Sequence, residues 1–268
     1  MANITLHNFR PLASLQHLVE SYWAFEQDAD ALVSHPHIVL PSPMPAVIVP
    51  YPLEGVARRA GLPSDTEWWC RQVAHERFEL RGQPATGLFG VTFQPAGFYQ
   101  LFGLSMASAG QAGQALTGHA AVFLRALSQR VAQVRTAPDR VAVAERLLLA
   151  RLRCGEVSTP MEALATAVLV RHGQVSVDEM AAQSNLCRRQ FERRFREVVG
   201  VAPKLFAEIS RFRNVMTHLH SAPTINWQDV THACGYFDQA HFIREFRRFA
   251  GKTPASYTQR EFGPDAPA

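Results

Sequence analysis

The chain has 268 residues, 47% of them hydrophobic and 19% charged, which supplies a packed core, excludes a disordered chain and suggests two domains. Its formal charge of +4 is uneven: residues 173–260 hold 13 Lys+Arg and 8 Asp+Glu, net +5, whereas residues 1–172 hold 14 and 13, net +1. A basic C-terminal third points to a polyanionic partner.

The first ten residues contain no basic segment followed by an apolar one, which argues against a secretory signal. Two uncharged stretches, 31–53 and 82–124, carry six prolines in the first and Pro84, Pro95 and repeated glycines in the second. Neither can satisfy its backbone in lipid as a continuous helix, so no membrane partner is expected. Four widely spaced cysteines with no C-x-x-C pair fit a reducing cytoplasm rather than a disulfide or zinc framework. Short β-leaning runs at 22–25, 47–49, 78–80 and 88–93, separated by Pro/Gly-rich joints, predict a small irregular β-sheet or partial barrel. A helix over 140–153 is expected to follow, with Pro138-Asp139 as its start and Val141, Leu148 and Leu152 as its apolar stripe. The fold class is therefore α+β for this half. Residues 154–160 read as a linker, dividing the chain into a sensor or dimerisation unit at 1–155 and a second unit at 160–262.

Trp23, Trp68, Trp69, Phe93, Phe98 and Tyr99 are the aromatic residues available to line an effector pocket, although aromatic residues are more often plain core. His35, His37, His75 and His119 match no standard ligand spacing, and 31–53 contains no carboxylate, so neither metal nor cofactor is expected. No nucleophile elbow, glycine-rich phosphate loop or paired acid–base motif marks an enzyme.

The C-terminal third repeats itself. Phe191-Glu192-Arg193-Arg194-Phe195-Arg196 with Gly200, Pro203 and Phe206 is matched, 51 residues on, by Phe242-Ile243-Arg244-Glu245-Phe246-Arg247 with Gly251, Pro254 and Tyr257. Each copy reads as two helices and a tight turn. In the first, Val177, Met180 and Ala181 give helical periodicity, Ser184-Asn185 turns the chain, and a second helix runs over 187–199 to Gly200. In the second, helices are predicted over 225–233 and 238–250, with Gly235 between them. At 100° per residue Phe191, Phe195, Val198 and Val199 share one side, opposite Arg189, Arg193 and Arg196. Phe242, Phe246 and Phe249 likewise oppose Ala240, Arg244 and Arg247. An arginine-bearing second helix after a Gly/Asn turn is the helix-turn-helix pattern, in which outward side chains enter the major groove.

Residues 161–260 resemble the AraC family of bacterial transcription regulators, most closely in Ala233-Cys234-Gly235-Tyr236-Phe237-Asp238-Gln239-Ala240-His241-Phe242-Ile243-Arg244-Glu245-Phe246-Arg247-Arg248 and in Gly251-Lys252-Thr253-Pro254-Ala255-Ser256-Tyr257. The resemblance implies an all-α region of about seven helices, with two helix-turn-helix subdomains joined by a long helix over about 203–219. It places base-contacting roles on Arg189, Glu192 and Arg193 in the first unit and on Gln239, Ala240, His241 and Arg244 in the second, with Arg188, Arg196, Arg247 and Arg248 on phosphates. Asn185 stands where the first turn often has Gly, and the polar residue frequent at the Ala240 position is missing. The segments 87–103 and 39–49 resemble an uncharacterised sensor-like domain that precedes this unit in one AraC subgroup. The implied partners are double-stranded promoter DNA and RNA polymerase, with a small-molecule effector and a homodimer left open. Two alternatives stand beside a regulator: a metal-dependent cupin-like enzyme, or a pure protein-interaction domain, fused to the DNA-binding module.

Overall fold

The computed structural model describes residues 4–27, 37–53, 69–71, 77–80, 86–105, 118–221 and 226–262. Its N-terminal part contains, among those residues, the strands β1 (Ile4–Phe9), β2 (Val19–Gln27), β3 (His37–Val39), β4 (Ala46–Pro52), β5 (Trp69–Arg71), β6 (Phe78–Leu80) and β7 (Thr86–Phe93). All pair antiparallel, as a five-stranded sheet of order β1-β2-β7-β4-β5 and a separate β3-β6 pair. The α+β expectation holds, and the four predicted strand runs fall inside β2, β4, β6 and β7.

Period-two alternation sorts the sheet's side chains. Tyr22, Val47, Val49, Phe89, Val91 and Phe93 enter the main core, while Phe25, Ile48 and Leu88 cluster on the other face with Trp23 and Val39. Buried on both faces, β4, β7 and the 22–25 segment of β2 read as nearly continuous apolar runs. Edge strand β1 exposes Thr5 through Asn8 and gives no such signal. Gly90 sits under the Trp23 indole, where a Cβ would lie 2.0 Å from Cε2; only glycine permits that approach.

Among the described residues, three α-helices complete this part: α1 (Gly97–Phe102), α2 (Gly118–Val131) and α3 (Ala137–Leu152). α2 packs on β4 and α3 on β2, burying Phe123, Leu124, Leu127, Val141, Ala144 and Leu148 in the main core. The helix expected over 140–153 thus begins earlier. Thr136 caps it, its hydroxyl accepting from Asp139 N at 3.2 Å, and Pro138 lies within the first turn, where its missing N–H costs nothing. The linker reading needs a similar correction at its end. Pro160 opens the next helix, and buried Thr159 caps it by accepting from Met161 N at 3.3 Å.

Seven helices follow among the described residues: α4 (Pro160–Val170), α5 (Val177–Gln183), α6 (Arg188–Val199), α7 (Pro203–Ser221), α8 (Trp227–Ala233), α9 (Gln239–Ala250) and α10 (Pro254–Phe262). The α8 helix starts two residues later than 225, because the Asn226 side chain caps it by accepting from Gln228 N at 3.0 Å. No helix among the described residues is long and apolar enough to cross a membrane.

Candidate nucleic-acid interface

Two helix pairs, α5–α6 and α8–α9, carry the repeated sequence. In the first, Ser176 and Glu179 form a reciprocal capping box: the Ser176 hydroxyl accepts from Glu179 N at 3.1 Å, and the Glu179 carboxylate accepts from Ser176 N at 2.7 Å. These bonds, with Arg171 nearby, hold the Glu179 carboxyl below the usual carboxylate range. Asn185 then takes the left-handed conformation at φ 55°, which Asn tolerates better than most side chains. The second unit uses Gly235 at φ 71°. Its turn, 234–238, is one residue longer than 184–187.

Both second helices end on a left-handed glycine, Gly200 at φ 98° and Gly251 at φ 74°, whose N–H donates to Arg196 O and Arg247 O respectively. Aromatic packing repeats as well. Phe191 and Phe195 lie 5.6 Å apart and Phe242 and Phe246 5.8 Å apart; Phe195 meets Phe206 at 5.5 Å, and Phe246 meets Tyr257 at 5.6 Å. The α7 helix serves both units, giving Phe206 to the first and Phe212, 5.5 Å from Phe246, to the second. Phe191, Phe195, Val198, Val199, Phe242, Phe246 and Phe249 are all fully buried.

With those faces inward, α6 and α9 turn their remaining side chains outward. Arg189, Arg193, Arg196, Gln239, Ala240, Arg244 and Arg247 are exposed, and no carboxylate among the described residues lies within ion-pair distance of those five arginines. Arg188 differs, since it bonds Asp178 at 2.9 Å and Glu192 at 3.0 Å. Those acids hold its guanidinium above the usual range, and the same bond engages Glu192. Arg248 is similarly tied to Glu208 at 2.9 Å.

His241 is half-buried. Its Nε2 lies 3.7 Å from Glu245 Oε2, and its ring meets Tyr236 edge-on at 5.4 Å. Glu245 itself is buried at 7% exposure, 3.6 Å from Arg211 of α7, and the Arg211 guanidinium sits 5.2 Å from the Tyr236 ring centroid. Burial pushes the Glu245 carboxyl above the usual range, against the opposing pull of Tyr236, Arg211 and His241. Sequence reasoning missed this group. The only hint was His241 and Glu245 at i,i+4 on one helix.

Among the described residues, those proposed for an effector pocket divide between the two faces of the sheet. Phe93, Phe98 and Tyr99 are buried in the main core, with Phe93 and Phe98 edge-on at 5.4 Å, while Trp23 lies across the sheet and donates to Thr92 Oγ1 at 3.2 Å. Trp68, His35 and His75 lie outside the described residues, as does the side chain of Trp69. Tyr99 does face the reading unit: Arg194 of α6 sits 5.8 Å from its ring centroid. Close by, Ser105 Oγ donates to Glu197 O at 3.4 Å, and the Gln100 amide bonds the Glu162 carboxylate of α4. No group of three or more metal-binding side chains occurs among the described residues.

A chain with two such helix pairs on a shared long helix has the architecture of a double helix-turn-helix DNA-binding protein. Comparison with family models agrees for the C-terminal third. Residues 180–260 match the model of a helix-turn-helix domain, and residues 7–112 match a domain of unknown function (DUF6597). No curated protein matches the chain. Among solved structures, the DNA-binding domain of AdpA, a global transcriptional factor crystallised with a target DNA, is 28% identical, covers 41% of this chain and 100% of its own, and has a TM-score of 0.37. ToxT from Vibrio cholerae is 7% identical with a TM-score of 0.42, covering 96% of this chain and 97% of its own. ToxT with a bound unsaturated fatty acid is also 7% identical, with coverage of 100% and 98% and a TM-score of 0.41. Residues 180–260 thus form a helix-turn-helix domain, as the AraC-type resemblance of 161–260 implies, and it follows an N-terminal domain of unknown function.

Proposed function

We propose that the chain is a sequence-specific transcription regulator that sets α6 and α9 into successive major grooves of promoter DNA. The observation that carries this reading is the pair of arginine-bearing faces at one 51-residue register, each opposite a buried phenylalanine stripe. Arg189 and Arg193 read base edges from α6, where arginine gives two hydrogen bonds to guanine, and Gln239, Ala240 and Arg244 occupy the matching positions on α9. Arg196 and Arg247, at the ends of their helices, bind phosphate. Glu192, Arg188 and Arg248 join the contact only after releasing their present partners. Residues 160–262 are the reading unit and 1–155 the signal-receiving unit, with RNA polymerase as the further partner. Response to an effector is supported by the contact of α1 with α6 through Tyr99 and Arg194.

Selecting binding sites from random duplex DNA with the purified full chain tests the proposal. A two-part motif with its halves about one helical turn apart is expected. On the selected site Arg193→Ala should lose about 1–3 kcal/mol and relax preference at one base pair, whereas Arg247→Ala should weaken all sequences alike and reduce the salt slope by about 1. Recovery of no motif would overturn the proposal.

A further inference from the structure

The two reading helices start alike and then part in chemistry. At the 51-residue register, Leu186, Arg189 and Glu192 of the first unit correspond to Phe237, Ala240 and Ile243 of the second. Leu186 and Phe237 each precede the N-cap of their helix, Cys187 and Asp238. Phe237 is 89% exposed, the most exposed large apolar side chain among the described residues, and Ala240 and Ile243 are exposed beside it. Ala240 and Ile243, three residues apart, share one outward stripe of α9, and Phe237 stands exposed immediately before the N-cap of that helix.

The surroundings of that stripe say what it meets. Arg247 follows it on the same outward side and suits the phosphates that wall a major groove, while Arg244 keeps the base-reading position proposed above. Acidic groups do not oppose this: the one acid within α9, Glu245, is buried against Arg211, and the Asp238 carboxylate is spent on its own backbone, accepting from His241 N at 2.6 Å. Within the major groove, the only apolar group a base edge offers is the C5-methyl of thymine.

We infer that Phe237, Ala240 and Ile243 form a thymine-methyl reader, which adds to the α9 half of the site an apolar specificity that the arginines of the α6 half do not supply. This inference rests on the base-reading proposal above. It assigns a specificity role to Phe237 and Ile243, and it makes the absence of a polar residue at position 240 part of the recognition.

The test replaces thymine by deoxyuridine, one position at a time, in the selected site; this removes one methyl and leaves base pairing intact. Affinity of the full chain should fall about fourfold for each methyl that the stripe buries, with the sensitive positions confined to one half of the site. Phe237→Ser should bind the thymine site more weakly and lose its sensitivity to deoxyuridine at one or more of those positions. Arg193→Ala should keep that sensitivity unchanged, because it acts on the other half. Uniform indifference of the parent to deoxyuridine, on a site it still selects sharply, would overturn the inference and leave the base-reading proposal standing. Equal losses for parent and Phe237→Ser would also overturn it. Recovery of no motif would remove both.

Discussion

The two helix-turn-helix units share a scaffold but are stabilised differently. Their phenylalanine pairs, left-handed glycines and following prolines coincide at one register, and homologous ring contacts agree to within a few tenths of an ångström. Their charges do not coincide. The first unit keeps its ion pairs in solvent, as with Arg188 between Asp178 and Glu192. The second buries Glu245 between Arg211, His241 and Tyr236, and Tyr236 comes from the longer turn. The common apolar frame fixes the orientation of each reading helix. Polar groups around that frame are then free to differ, in stability as much as in readout.

The frame should carry the largest effect. Phe246 is fully buried among Phe212, Phe242 and Tyr257, so Phe246→Ala is expected to cost about 3–5 kcal/mol, as is Phe195→Ala in the first unit. Urea denaturation of the full chain measures both. A large cost in one unit and a negligible cost in the other would break the equivalence of the two cores.

Next comes the difference in charge burial. Removing Arg211 leaves the buried Glu245 without its cation, and Arg211→Ala should destabilise by about 3 kcal/mol, whereas Arg188→Ala, at an exposed pair, should leave the urea midpoint nearly unchanged. Comparable losses for the two variants would show that the Glu245 pair is as well solvated as the surface pair.

This asymmetry marks where the sequence stops being readable. The duplicated register, the buried phenylalanines and the turns at Asn185 and Gly235 follow from periodicity and turn chemistry, which are local. Glu245 lies in an arginine-rich helix and reads as one more solvated charge; only the approach of Arg211 from α7 buries it, and that is a tertiary fact. The N-terminal part shows the same limit. Strands β2, β4 and β7 announce themselves by apolar runs, but three-residue β3 and β5 gain their strand character from partners. The helix α2, at 118–131, begins inside the uncharged stretch 82–124, whose glycines and glutamines obscure its start. Trp23 and Phe93 look alike in the sequence as pocket-lining aromatics, yet strand alternation sends them to opposite faces of one sheet.

The two capping and core carboxylates also predict opposite responses to pH. Glu245 is held above the usual range mainly by burial, so the folded chain keeps its proton more tightly than the unfolded chain does. Its stabilising contribution is present below the unfolded carboxylate pKa, about 4.3, and is lost as pH rises toward the folded value. Glu179 is held low, first by its bond to the Ser176 backbone. Its contribution is present above the unfolded pKa and is lost as pH falls through the folded value. Urea midpoints measured between pH 3 and 7 should show Glu245→Gln flattening the decline above about pH 4 and Glu179→Gln flattening the rise from acid. Shifts of the same sign in both variants would contradict the assignment.

The smallest expected effect is a gain. Asp238 caps α9 through its carboxylate, but Cys187, at the equivalent position of α6, makes no side-chain cap bond although its backbone is already extended at φ −65° and ψ 151°. A hydroxyl there would accept from the backbone N–H groups of the first turn without moving the chain, so Cys187→Ser should stabilise the protein by about 0.5–1 kcal/mol. Since the side chain is exposed, the substitution opens no cavity to offset the gain. It would also equalise the entry of the two reading helices, which lets their DNA affinities be compared with capping held constant. No gain in the urea midpoint would mean that water already satisfies the α6 N-terminus as well as a side chain can, and that the units differ there in composition but not in energy.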